Sequence, residues 1–312
     1  MALLSPIELR AQTPQGHAAS RLESTVDTTI KPGDDFFAYA NGAWLKAAVI
    51  PTGKDRWSVR DEINERTHRQ VAQILDAART ARPGSLGRKV ADFRAAYLNQ
   101  SAMDEKGLAA VAPMFARIDS VRDILALTRL LGSTMRADVD PLNLGVYSSS
   151  SVLGLSVEHS IHGEKSYDAF LVQGGLTFGD RDEYLSKDSR VALQRGRYVQ
   201  YIARMMKLAG FDRAHERAEP VLALETAIAE SHATSPTSAV DRNADNRWSR
   251  ADFAREAPGM DWDAFFDAAG LGSQPVIVAW QPSAVKGVAA LVASQSLETW
   301  KDYLRFRVLD EY

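Results

Sequence analysis

Apolar residues recur at intervals of three and four through most of this chain, and that spacing restricts its fold more than any other feature. Between Val59 and Ala78 they fall at Val59, Ile63, Val71, Ile74, Leu75 and Ala78, while Arg60, Glu65, Arg69 and Gln73 face elsewhere. A period of 3.6 gathers such positions into one stripe of an α-helix. The spacing predicts a helix over 59–78. Pro83, Gly84 and Gly87 break it, after which Val90, Phe93 and Tyr97 resume the pattern. Further helices are predicted over 104–119, 123–137, 189–209 and 213–232. Gly210 is placed to end the longest, because glycine accepts the left-handed dihedrals of a helix terminus.

The pattern changes between Pro141 and Phe178. Leu142, Leu144 and Val146, then Val152, Leu153, Leu155 and Val157, then Phe170, Leu171 and Val172 sit among Ser and Gly, which predicts two or three short strands. Pro275–Trp280 is a further strand, before Pro282 opens another helix. The expected class is therefore mainly α, with a small β region around 141–178. Length alone is enough for about two domains of ordinary size. Residues 1–29, which carry Pro, Gln, Gly, Ser and Thr without apolar period, read as a poorly ordered leader, and 30–312 as the folded part. At the other end Ser296 is an N-cap candidate for a helix with Leu297, Trp300, Leu304 and Val308 on one stripe. No stop signal follows before Tyr312, so that stripe predicts a packing partner in sequence beyond it.

Composition removes several functions. With 37 Lys and Arg against 40 Asp and Glu, the formal charge is −3, without the cationic excess that nucleic acid or an anionic membrane surface demands. No apolar run approaches the roughly 18 to 20 residues of a membrane span. The chain has no cysteine, which excludes disulfides, thiolate nucleophiles and Cys-based metal sites. A metal would need His and carboxylates. His215-Glu216 lies in HERAE, where the fifth position is Glu219, so the two His at i and i+4 of a zinc helix are missing and a solvated helix start is the reading. Glu158, His159 and His162 cluster in EHSIH, but a spacing of three does not align on one strand face, and a surface loop is expected. His232 ends a helix, where the dipole favours a cation. His17 and His68 have no neighbours at ligand spacing, and the serines of 147–151 read as a polar turn with no base beside them. No GxSxG or phosphate-binding loop occurs. Neither a catalytic residue nor a metal ligand is assigned to this chain.

Four blocks stand out in order: DTTIKPGDDFFAYANGAW (27–44) with LKAAVIP after it, VQGGLTFGDRDEYL (172–185), LALETAIAESH (222–232) and SLETWKDYLRFRVL (296–309). Each has a structural reading of its own. Asp34 and Asp35 start a helix whose aromatic face, with Phe36, Phe37, Tyr39 and Trp44, is expected to dock on the core. Gly42 permits a turn there, Gly174 and Gly175 allow unusual dihedrals after a strand, and Asp180, Arg181 and Asp182 form a charge-assisted cluster.

Together the blocks resemble the N-terminal portion of the neprilysin and endothelin-converting-enzyme family of zinc metallopeptidases, in its bacterial oligopeptidase form. The resemblance implies a multi-helical cap that encloses short peptide substrates against a C-terminal catalytic domain. Zinc, the family's cofactor, is held by two His of an HExxH helix and a downstream Glu, and this sequence ends before those elements. The chain alone is therefore expected to bind no zinc and to be inactive, with a periplasmic or secreted location. An arginine soon after the Ile-Pro of the first block contributes in relatives to binding the substrate's C-terminal carboxylate. Here Ile50-Pro51 is followed by Arg56, which takes that substrate-binding role by resemblance; a surface pairing with Asp55 or Asp61 is its ordinary alternative. The rival to the whole reading is a non-enzymatic helical module that binds a peptide or a partner.

Overall fold

A computed structural model describes residues 25–135, 151–163 and 165–312. The expected leader falls almost wholly outside the described residues, as do the strand proposed at Leu142–Val146 and most of the turn at 147–151. The chain divides into two units, Met1–Ala102 and Met103–Tyr312.

In the first unit, α1 (Phe36–Ala47) starts at Asp35, whose carboxylate accepts from the Ala38 amide. Next come α2 (Val59–Ala77), capped by Ser58, and α3 (Leu86–Tyr97), capped by Ser85. Both match the spacing closely because caps and apolar period are local signals. Asp27 is buried against α1 and accepts from Lys46 Nζ at 2.5 Å and from the Thr29 amide and hydroxyl. Lys46 and Thr29 hold its carboxyl down to about 2. A Cβ on Gly42 would stand 2.7 Å from Asp27 Cβ, so this glycine serves a close approach inside a helix and not the turn expected of it. The aromatic face also differs from expectation, since Phe36 and Phe37 are about two-thirds exposed, at 69% and 67%. In α2 and α3 no residue is buried; Ile63, Val71, Ile74, Phe93 and Tyr97 are all exposed.

The predicted helix 104–119 is interrupted. It forms α4 (Gln100–Lys106), a 3-10 turn and α5 (Ala112–Asp119). Gly107 at φ +47° leaves the right-handed region, and Pro113 sits in the first turn of α5, where its missing N–H costs nothing. Helix α6 (Ile124–Ser133) follows on its Asp123 cap.

Strands β1 (Leu153–His159) and β2 (Tyr167–Gln173) form an antiparallel hairpin in which Leu153 faces Gln173 and His159 faces Tyr167. Then come α7 (Arg181–Leu185), α8 (Ser189–Leu208), α9 (Ala214–Ser231) and the single turn α10 (Ser235–Ser238). Gly210, at φ +81°, follows the end of α8 as expected. Strand β3 (Arg247–Ser249), α11 (Arg250–Glu256) and α12 (Trp262–Ala268) precede β4 (Val276–Ala279), α13 (Pro282–Ser294) and α14 (Leu297–Glu311). The sheet order is β1-β2-β4-β3, with β4 parallel to β2 and antiparallel to β3.

Pleating sends Leu171, Ile277 and Ala279 into the main core and Phe170, Val172 and Val278 to a smaller cluster with Ile161 and Trp280. Helix α9 is central to this unit, touching α7, α8, α13 and α14. The terminal stripe is rotated from expectation. Trp300, Tyr303, Phe306 and Leu309 are the apolar residues of α14 buried in this chain's own core, while Leu304 and Val308 are half-buried.

Candidate functional site

Three of the four sequence blocks meet around one buried carboxylate. Glu225 lies on α9 among Val221, Leu224 and Ile228, the residues that bury the helix, and is itself fully buried. Its Oε1 accepts from Thr177 Oγ1 at 2.8 Å, and its Oε2 accepts from Tyr184 Oη at 3.0 Å and Tyr198 Oη at 2.8 Å. Tyr184 Oη in turn accepts from the amides of Thr177 and Phe178 at 3.0 and 2.8 Å, which pins the segment after β2 to α7. Arg307 of α14 donates to Thr177 Oγ1. The second block, α9 and the C-terminal helix are thus tied through one charged network.

Burial raises the Glu225 carboxyl to about 7, against the partial offset of its hydroxyl donors and of Arg307. Burial also raises Tyr184 and Tyr198, and the neighbouring carboxylate adds to it. The charge of Arg307 is disfavoured by burial, but Tyr303 and Glu225 outweigh that and hold it above its ordinary value. A buried acid beside a guanidinium, bonded by three hydroxyls, is a proton-sensitive unit whose charge depends on a nearly neutral pH.

The corner before this network is built on glycine. Gly175 has φ +86°, and a Cβ there would meet Tyr303 Oη at 2.8 Å and Val152 Cα at 3.0 Å. Its carbonyl accepts from Tyr303 Oη at 2.8 Å. Gly174 O accepts from His232 Nε2 at 3.1 Å, which places the imidazole proton on Nε2. Gln173 exchanges two hydrogen bonds with the Ala233 backbone. Asp180 and Glu183 close a capping box at α7, while Arg181 pairs with Asp182 at 3.0 Å, so the expected charge cluster is mainly a helix cap.

The histidines settle elsewhere than a shared site. His232 is buried and lowered to about 4 by desolvation, so it is neutral and does not act as the dipole-stabilised cation expected of it. Glu158 and His159 end β1 and do not form a loop. His159 stacks on Tyr167 at 4.5 Å, and His162 pairs with Asp245 at 3.0 Å. His215 and Glu216 are exposed in the first turn of α9, with Glu216 near Arg213. His68 is exposed on α2, and His17 lies outside the described residues. Among the described residues no three His, Asp or Glu side chains gather at metal-binding distance. Arg56 is exposed between α1 and α2, near enough to Asp61 to help lower that carboxyl, which its bond from Ser58 lowers most.

Glu225, Thr177, Tyr198 and Arg307 were not singled out from sequence. A signal existed for Glu225: it stands one residue after Leu224 and three before Ile228, on the apolar stripe where a charge must be paired.

The described residues thus form a helical body with a small mixed sheet, whose Gly-Gly corner is locked by Tyr303 and His232. The sequence model of peptidase family M13 matches residues 32–312, and the chain belongs to that family, as the N-terminal part of a neprilysin-type protein. It is 27% identical to endothelin-converting enzyme-like 1 of Rattus norvegicus over 217 residues, which is 68% of this chain and 28% of that protein. It is 21% identical to endothelin-converting enzyme 1 of Rattus norvegicus over 297 residues, 93% of this chain and 38% of that one. Among solved structures, the Mycobacterium tuberculosis zinc metalloprotease Zmp1 in complex with an inhibitor matches with a TM-score of 0.71 and 25% identity, over 91% of this chain and 43% of Zmp1. PepO from Lactobacillus rhamnosis shares the fold at a TM-score of 0.60 and 16% identity. The chain spans less than half the length of each of these proteins.

Proposed function

We propose that this chain is the substrate-enclosing part of a zinc metalloendopeptidase that hydrolyses short peptides, and that it is inactive without the zinc-carrying part. The observation that carries this reading is the family match over 32–312, set beside relatives more than twice as long. The described residues do not fit the family's zinc: His159, His162 and His232 are engaged with Tyr167, Asp245 and Gly174 and do not converge. No step through zinc is assigned to them. The exposed apolar faces of α2 and α3 support a role in which this part is covered by another. Work outside the cytoplasm, with 1–29 as a leader, belongs to the same proposal. No helix of the described residues is long and apolar enough to cross a membrane.

Zinc content of the purified chain after dialysis, together with peptide cleavage with and without chelator, tests it. The expected result is no stoichiometric zinc and no chelator-sensitive cleavage. One zinc per chain with such cleavage overturns the reading. Arg56 is proposed to meet the C-terminal carboxylate of the peptide, supported by its exposure and by the fork geometry of guanidinium. In the enzyme with its zinc-carrying part, Arg56→Ala is expected to raise KM about tenfold for peptides with a free C-terminus and to leave amidated peptides unchanged. Equal effects on both would assign Arg56 to the surface.

A further inference from the structure

Between α5, α6 and α12 lies a groove of about 550 Å³, a volume suited to a small molecule. Its floor is aliphatic, with Val121, Leu130 and Ala264, and its charged lining is Arg117, Arg129 and Asp267. One amino group of Arg117 donates to Ser133 Oγ at 2.6 Å, and that hydroxyl donates to the Leu130 carbonyl at 2.7 Å, so α6 orients the fork. The remaining N–H groups of Arg117 have no partner among the described residues. Arg129 is exposed and makes no hydrogen bond, ion pair or ring contact with them. The acids on these elements are engaged elsewhere. Asp119 pairs with Arg305, Asp123 and Asp261 cap α6 and α12, and Asp263 lies 4.0 Å from Arg250. Asp267 pairs with neither arginine; its Oδ1 sits against Gly272, where a Cβ would meet it at 2.4 Å. Two guanidinium groups therefore line one aliphatic groove without a counter-charge. Each fork can take a carboxylate through two parallel bonds, and an aliphatic spacer between two carboxylates would leave water on the groove floor.

We propose that this groove binds a small aliphatic dicarboxylate, one carboxylate on Arg117 and the other on Arg129, with the spacer on the aliphatic floor. Charge complementarity selects the dianion. A monocarboxylate leaves one guanidinium without a partner, and a neutral ligand leaves both. Arg117 stands on α5 and Arg129 on α6, so the two helices set the span between the forks and the length of the ligand matters. This site is separate from the peptidase reading and does not depend on it.

Isothermal titration of the full chain with the dicarboxylates from succinate to suberate, each beside the monocarboxylate of equal carbon number, tests the site at neutral pH and low salt. One chain length is expected to bind best, and its monocarboxylate about tenfold more weakly, through the loss of one charge-assisted pair. Arg117→Gln and Arg129→Gln should each weaken that dicarboxylate about tenfold. Either variant should leave the monocarboxylate within about twofold, since the other arginine still holds it. Both arginines are exposed, so neither change removes packing that the fold needs. Arg204→Gln, which removes an exposed arginine of α8 outside the groove, is expected to change nothing. No binding across the series, equal binding of dicarboxylate and monocarboxylate, no preference for length, or the same loss in Arg204→Gln as in the groove variants overturns the proposal.

Discussion

Glu225 and His232 pull the stability of this chain in opposite directions with pH. The folded-state carboxyl of Glu225 is raised from 4.5 to about 7, so folding favours its protonated form. Its contribution is full below about pH 4.5 and is lost as pH rises to about 7, a difference on the order of 3 kcal/mol. His232 is lowered from 6.5 to about 4, so its contribution is full above about 6.5 and is lost as pH falls toward 4. Above pH 6.5 the melting temperature is expected to decline in the wild type and to stay level in Glu225→Gln. Between pH 6.5 and 4.5 the two contributions nearly cancel in the wild type, so a decline toward acid is expected in Glu225→Gln, where His232 alone titrates, and a rise toward acid in His232→Gln, which keeps an N–H for Gly174. An unchanged neutral limb in Glu225→Gln would mean that Glu225 is not the titrating group. Sequence carried part of this. Glu225 interrupts an apolar stripe, which marks a buried charge, but its partner Thr177 is 48 residues away and Arg307 lies 130 residues from Thr177, so neither was legible.

At the scale of elements, close helix crossings decide more than propensity does. A Cβ on Gly132 of α6 would stand 2.2 Å from the Phe265 carbonyl of α12, which leaves no room for any side chain. Gly196 of α8 has nothing within 4 Å. Gly132→Ala is expected to destabilise by about 1–3 kcal/mol through overpacking. Gly196→Ala should stabilise by about 0.5–1 kcal/mol, because alanine loses less backbone freedom in a helix. Urea denaturation of the two variants checks this, and equal effects would show that the α6–α12 crossing yields easily. The positions of α2, α8, α9 and α14 were legible to within about two residues, and the existence of α3 from Val90, Phe93 and Tyr97, because the apolar period is local. Strand β3 and helices α11 and α12 were not. β3 is three residues long and exists through its pairing with β4, while α12 is a short aromatic helix, with Trp262 and Phe266 buried against Phe253 and Phe265 against Trp262 and Phe266.

Over the whole molecule, similar apolar stripes have two fates. Phe266 is fully buried, whereas Phe93 on α3 is 76% exposed. Phe266→Ala is expected to cost about 3–5 kcal/mol and Phe93→Ala under about 0.5 kcal/mol, as read from chemical denaturation of this chain. A large loss from Phe93→Ala would show that the face of α3 is covered. By itself, sequence determined the mainly helical class, the Ser296 cap and the family resemblance, since each rests on residues a few positions apart or on segments whose order survives divergence. Tertiary structure alone decided which apolar faces are buried, that α14 turns Trp300, Tyr303 and Phe306 inward, and that Glu225 gathers Thr177, Tyr184, Tyr198 and Arg307 into one network. The reason is physical. Periodicity specifies that a face exists, but its partner is chosen by packing between distant segments, and the charge state of a group follows from the burial that packing creates.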